Sequence, residues 1–211
     1  MQYGRNKKVM IMVQSAMLAA LVVVLQLVGS FIKIGPLPMS LVLVPIVIGA
    51  CLLGAKAGAF LGFVFGVVTM LMGITGVDGF SLLLFQAKPV PFILLCLLKA
   101  TMAGLVPALI YGALSKTFKG KNITVQTVLA SISAPIVNTG IFVIGMLIFY
   151  YDTMGTLPSL FPDAFGGFNS TLALLFIGLA GLNFVGEFIV NLVLTPVIVR
   201  VVDIVKKKIK L

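Results

Sequence analysis

The sequence contains no histidine and no tryptophan, only five acidic residues and two cysteines in 211 positions. Lack of histidine removes the commonest metal ligand and the commonest catalytic base, which argues against a metal site and against most enzyme mechanisms. An intramembrane protease or phosphatase would need a nucleophile with its base, or a metal cluster, and neither is legible. No Walker motif is present, so any ATP hydrolysis coupled to this chain must lie on a partner. Cys51 and Cys96 each sit inside an apolar run and read as small core residues rather than a disulfide pair. Charged residues make up 9% of the chain, against about a quarter in an ordinary soluble domain.

What is abundant is apolar: 61% hydrophobic residues and a mean hydropathy of +1.25. These values point to an all-α integral membrane protein of one domain over residues 1–211. Six apolar runs emerge, at about 9–32, 40–53, 58–72, 90–115, 124–150 and 170–199. The basic start (Arg5, Lys7, Lys8) resembles the beginning of a signal peptide, but the run after it is too long for an h-region and lacks a clean cleavage site. It reads as a retained first span. The second run is short, since ~14 helical residues cover only about 21 Å, and suggests a tilted or partly re-entrant segment. In the third, Gly58, Gly62 and Gly66 repeat every fourth residue, a spacing that lets helix backbones approach closely.

Six spans put both termini on one side. That side would hold Arg5, Lys7, Lys8, Lys56, Lys116, Lys119, Lys121, Arg200 and the lysines of the tail, whereas the other would hold only Lys33 and Lys88. Such asymmetry predicts cytoplasmic termini. It also accounts for the net charge of +10 as topology signals facing anionic lipid, so nucleic-acid binding is not needed. Three connectors would then lie outside, at about 29–38, 73–89 and 151–169. The last, with aromatics, prolines, Asp152 and Asp163, resembles a lid more than a tether.

A few polar groups are predicted inside the bilayer. Lys99 sits near the middle of the fourth run, where a cation costs several kcal/mol and usually faces a partner or a wet cavity. At about 1.5 Å per residue, Asn138 of the fifth run and Asn183 and Glu187 of the sixth fall at a similar outer-half depth. Asn183, Glu187 and Asn191 share one helix face. Bland explanations stand beside this. Lys99 and Glu187 would neutralise one another; the asparagines would be interhelical glue; Asn138 would satisfy a carbonyl freed by Pro135; Gln86 and Lys88 at the mouth would be interfacial anchors. Together the groups predict a polar pocket that opens outward. A stand-alone secondary transporter is the rival reading, but no internal repeat supports it.

The first run carries Ala16-Met-Leu-Ala-Ala20; Gly54–Gly66 forms a small-residue ladder, and residues 134–140 read Ala-Pro-Ile-Val-Asn-Thr-Gly. On these features, and over nearly its whole length, the chain resembles the substrate-binding S component of an energy-coupling-factor (ECF) vitamin transporter, with most similarity to the pantothenate-type group. The resemblance implies an S-component-like six-helix bundle that captures a water-soluble vitamin from outside and topples in the membrane. Two ATPase subunits would drive this through a transmembrane coupling subunit docked on Ala16 and Ala20. It implies no cofactor. Lys99 would pair with the pantothenate carboxylate, and Asn138, Asn183 and Gln86 would hydrogen-bond the rest. Lys88 would border the site, and Glu187 would hold Lys99 or bind a hydroxyl. Folate or riboflavin are the alternative ligands, although the lack of tryptophan leaves fewer large stacking surfaces for a flavin.

Overall fold

Lipid offers no partner for free N–H and C=O groups, and a long continuous apolar run satisfies its own as a helix. The computed structural model describes residues 2–30, 33–34, 37–38, 41–119, 121–160, 162–168 and 170–209; of these, 2–7, 33–34, 37–38, 164, 182–183 and 207–209 are described by backbone alone. The long helices are α1 (Gln2–Gly29), α3 (Ala55–Ile74), α5 (Pro89–Thr117), α6 (Ile123–Phe149) and α11 (Ala180–Ile209). With the short helical stretch that precedes α11, each is long and apolar enough to cross a membrane. The remaining apolar run forms α2 (Leu43–Leu53), only 11 residues long and buried along most of its length. This is the all-helical bundle expected, with the short second element in its expected place.

Gly54, at φ +88°, makes the turn from α2 to α3, a conformation glycine adopts at no steric cost. α3 then packs most extensively against α5, and the glycine ladder is the reason. A Cβ at Gly58 would strike the Gly104 carbonyl, one at Gly62 the Ala100 carbonyl, and one at Gly66 would lie 2.8 Å from the Cys96 carbonyl. The absence of side chains therefore lets the two backbones touch and sets the rotation of α5.

Two connectors depart from the expectation of open loops. Residues 73–89 contain α4 (Gly79–Ala87), started by Asp78, whose carboxylate accepts hydrogen bonds from the Ser81 amide at 3.3 Å and from the Ser81 hydroxyl. The apolar run Phe80–Phe85 continues that turn because it has a face to bury, with Phe80 and Leu84 inside. Residues 151–169 contain three single-turn helices, α7 (Tyr151–Met154), α8 (Leu157–Leu160) and α9 (Pro162–Phe165). Phe161 and Asn169 lie outside the described residues. In connector 29–38, Lys33–Ile34 (β1) pairs antiparallel with Leu37–Pro38 (β2); the rest lies outside the described residues, apart from Gly29 and Ser30.

The sixth run begins as α10 (Thr171–Ala173), passes through a π-helical stretch, Leu174–Leu179, and enters α11. Two buried clusters result. One gathers Ile46, Leu61, Phe65, Ala103, Tyr111 and Ile198; the other gathers Phe92, Met146, Tyr150, Met154, Phe165 and Leu175. The second cluster marks what we term the upper end of the bundle. It shows why 151–169 is not a tether: Met154, Leu157 and Phe165 are fully buried in it.

Candidate binding cavity

Where the two clusters meet there is a cavity of about 70 Å3, lined from α1, α3, α4, α5, α6 and α11. That is enough for several waters in this measure. Its polar lining includes Lys99, Asn138 and Glu187, three of the residues singled out from the sequence. They arrive from three helices. Lys99 follows Phe92 and Leu95–Cys96 along one face of α5, next to the residues on which the α3 glycines rest.

The bonds within this set differ from the simplest sequence expectation. Asn138 Nδ2 donates to Glu187 Oε2 at 3.2 Å, and both residues are almost fully buried. The Asn138 side chain therefore reaches across to α11 rather than back to the carbonyl freed by Pro135. Among the described residues Lys99 makes no ion pair; its ammonium sits 5.1 Å from the centroid of the Phe142 ring, a cation–π contact. Four buried polar atoms on the cavity's lining residues have no hydrogen-bond partner among the described residues: Thr69 Oγ1, Asp78 Oδ1, Asn138 Oδ1 and Thr139 Oγ1. Buried polar groups are rarely left in this state, so these four atoms call for a polar partner in the cavity, and water is one that it has room for.

Gln86 and Lys88 do not join the set. Both are exposed and neither lines the cavity, because they fall where α4 ends and α5 begins, on the outside of the corner. Lys88 acts elsewhere. Its Nζ donates to the Phe149 carbonyl at 2.6 Å, and Tyr150 OH donates back to the Lys88 carbonyl at 2.7 Å. The reciprocal pair ties the start of α5 to the end of α6. The Asn183 side chain lies outside the described residues.

Several lining residues were missed from sequence. Gln26 is the lone polar side chain within the run Leu21–Val28, and it is buried with its Nε2 3.9 Å from Met72 Sδ. Thr69 and Thr139 gave no signal, since threonine is common in membrane helices. Asp78 did give one: it is the first acid in the chain, and Asp-Gly-Phe-Ser is a helix-start pattern. Four phenylalanines, Phe65, Phe80, Phe92 and Phe142, complete the apolar lining. Such a mixture of apolar wall and few convergent polar groups is what small-molecule sites are made of.

Ala16 and Ala20 are far from this set in character, both exposed on the outside of α1. Among the described residues no group of His, Cys, Asp or Glu is arranged to hold a metal.

No curated protein and no solved structure matches the chain. The family model described as ECF transporter, substrate-specific component, matches residues 11–199. That match takes in most or all of each long helix and every described residue of the cavity, and so the chain belongs to the ECF transporter substrate-specific component family, whose members are substrate-binding transport subunits.

Proposed function

We propose that the cavity is the substrate site and that this subunit captures a water-soluble vitamin there from outside the cell. The observation that carries the reading is the convergence of Lys99, Asn138 and Glu187 from three helices on one cavity whose lining has unpartnered polar atoms. The upper end faces outside in this reading, because the basic residues Lys56, Lys116, Lys119 and Lys121 all fall at turns of the opposite end. Six passes with cytoplasmic termini follow if α2 counts as a short second span. Residues 151–169, packed into the upper cluster, would open for entry and close over the ligand.

Pantothenate is the specific candidate. Its carboxylate suits Lys99, and its hydroxyls and amide suit Asn138 and Glu187; folate and riboflavin are the alternatives. A transmembrane coupling subunit docked over Ala16 and Ala20, with two ATPase subunits, would supply the energy. Calorimetric titration of the purified full-length protein against a panel of water-soluble vitamins tests the reading. One compound binding with nanomolar affinity supports it, and pantothenate would support the specific choice. Silence across the panel from folded protein would sink it. A fluorescent-protein fusion at the C-terminus, which should fluoresce only if that end is cytoplasmic, checks the orientation in the same preparation.

A further inference from the structure

Asp78 has an explanation that covers only half of it. One carboxylate oxygen, Oδ2, caps α4 through the Ser81 amide and hydroxyl. The other, Oδ1, is buried and has no partner among the described residues, in a side chain that lines the cavity and belongs to a residue only 6% exposed. A cap needs one oxygen, and Asn or Ser would supply it as well without burying a charge. Leaving a buried carboxylate oxygen unpaired costs more than leaving a neutral one. The Lys99 ammonium sits against the Phe142 ring rather than this oxygen, which has no hydrogen-bond partner among the described residues.

The remaining lining points the same way. Asn138 Oδ1 can only accept, and it is also unpartnered, because Nδ2 of the same amide is the atom engaged with Glu187. The cavity thus offers one cationic donor, Lys99, and two uncommitted acceptor-only atoms, Asp78 Oδ1 and Asn138 Oδ1, beside the Thr69 and Thr139 hydroxyls, which can serve either way. We infer that Asp78 is a ligand-recognising carboxylate that receives an N–H or O–H donor of the bound molecule. The substrate is accordingly two-ended, with an anionic or acceptor group for Lys99 and a donor-bearing group for Asp78. The phenylalanine walls would enclose the carbon frame between them. A carboxylate lacking a donor at its other end would leave Asp78 unpaired and be rejected.

This inference rests on the vitamin-capture reading, and the test separates the two. Calorimetry on the full-length protein compares pantothenate, biotin and folate, which join a carboxylate to N–H or O–H donors, with lipoate and octanoate, which carry a carboxylate alone. Asp78→Asn and Asp78→Ser keep a capping group, so both variants should melt with the wild type. The expected result is a donor-bearing binder weakened by about 10- to 100-fold in both variants, the size of one lost charged hydrogen bond. The weak binding of lipoate and octanoate should not change. Equal affinity of wild type and variants for that binder would reduce Asp78 to a cap. An equal loss for donor-bearing and donor-free compounds would mean that the substitutions act by displacing α4, and would overturn the inference as well. If no panel compound binds the wild type, the vitamin-capture reading fails and the inference falls with it, a pattern distinct from either failure of Asp78 alone.

Discussion

Lys99 and Glu187 are both charged residues deep among helices, yet the fold treats them differently. Glu187 is 2% exposed and accepts from Asn138, and its backbone carbonyl accepts from Asn191 Nδ2 at 2.9 Å. It is built into the packing. Lys99 is only half-buried, and the Phe142 ring is its neighbour. Removing it forfeits a cation–π contact of about 0.5–1 kcal/mol. Lys99→Ala should therefore melt close to the wild type while losing about 10- to 100-fold in affinity for a carboxylate ligand, read by thermal denaturation and titration side by side. A collapse of Tm with no separate loss of affinity would make Lys99 a packing residue. From the sequence, depth along each helix was enough to select Lys99, Asn138 and Glu187. It was not enough for Gln86 and Lys88, whose polarity was plain but whose direction depended on where α4 ended. Asp78 was hidden for the converse reason, because a connector residue reads as exposed until the connector folds inward.

At the scale of elements, the α3–α5 contact decides the cavity. Residues 96, 100 and 104 of α5 lie against the glycines of α3, and this fixes which way Lys99, one residue before Ala100, can point. Gly62→Leu would drive a side chain into the Ala100 backbone, where the Cβ alone would lie 3.0 Å from both the Ala100 carbonyl carbon and Thr101 Cα. Backbone cannot move aside as a side-chain tip can. Overpacking of this kind costs about 1–3 kcal/mol or more, so Tm should fall by about 2–12 °C and ligand affinity should fall with it as α5 is displaced. Gly140→Ala is the contrasting change, because a Cβ there meets nothing within 4 Å; it should be neutral or slightly stabilising in a helix. Thermal melts of both variants check the pair, and equal behaviour would refute the account of the ladder. The ladder itself was legible, since its four-residue period is a property of the sequence. Its partner was not, because many helices in the chain carry small residues that would accept it.

For the molecule as a whole, the two ends have separate chemistry. The upper end holds the cavity and the short helices α7 to α9; the lower end holds the basic turns and a cleft formed with Tyr111, Lys116 and Lys206. α1 leaves much of its surface unburied, including Met12, Met17, Val24 and both Ala16 and Ala20. If that side receives the coupling subunit, a bulky residue there must block assembly without reaching the cavity. Ala16→Trp or Ala20→Trp should leave ligand titration of the isolated protein unchanged and abolish uptake by the complete transporter in cells. Undiminished uptake with both substitutions present would rule out docking on that face.

The sequence by itself determined the class of molecule. Its apolar runs demand helices in lipid, and its glycine period demands a close helix pair; each is a local property that no neighbour can reverse. Tertiary structure alone decided the membership of the cavity. Which face of each helix turns inward depends on packing against residues far away in the chain, so Gln26, Asp78, Thr69 and Thr139 entered the lining while Gln86 and Lys88 were left outside it.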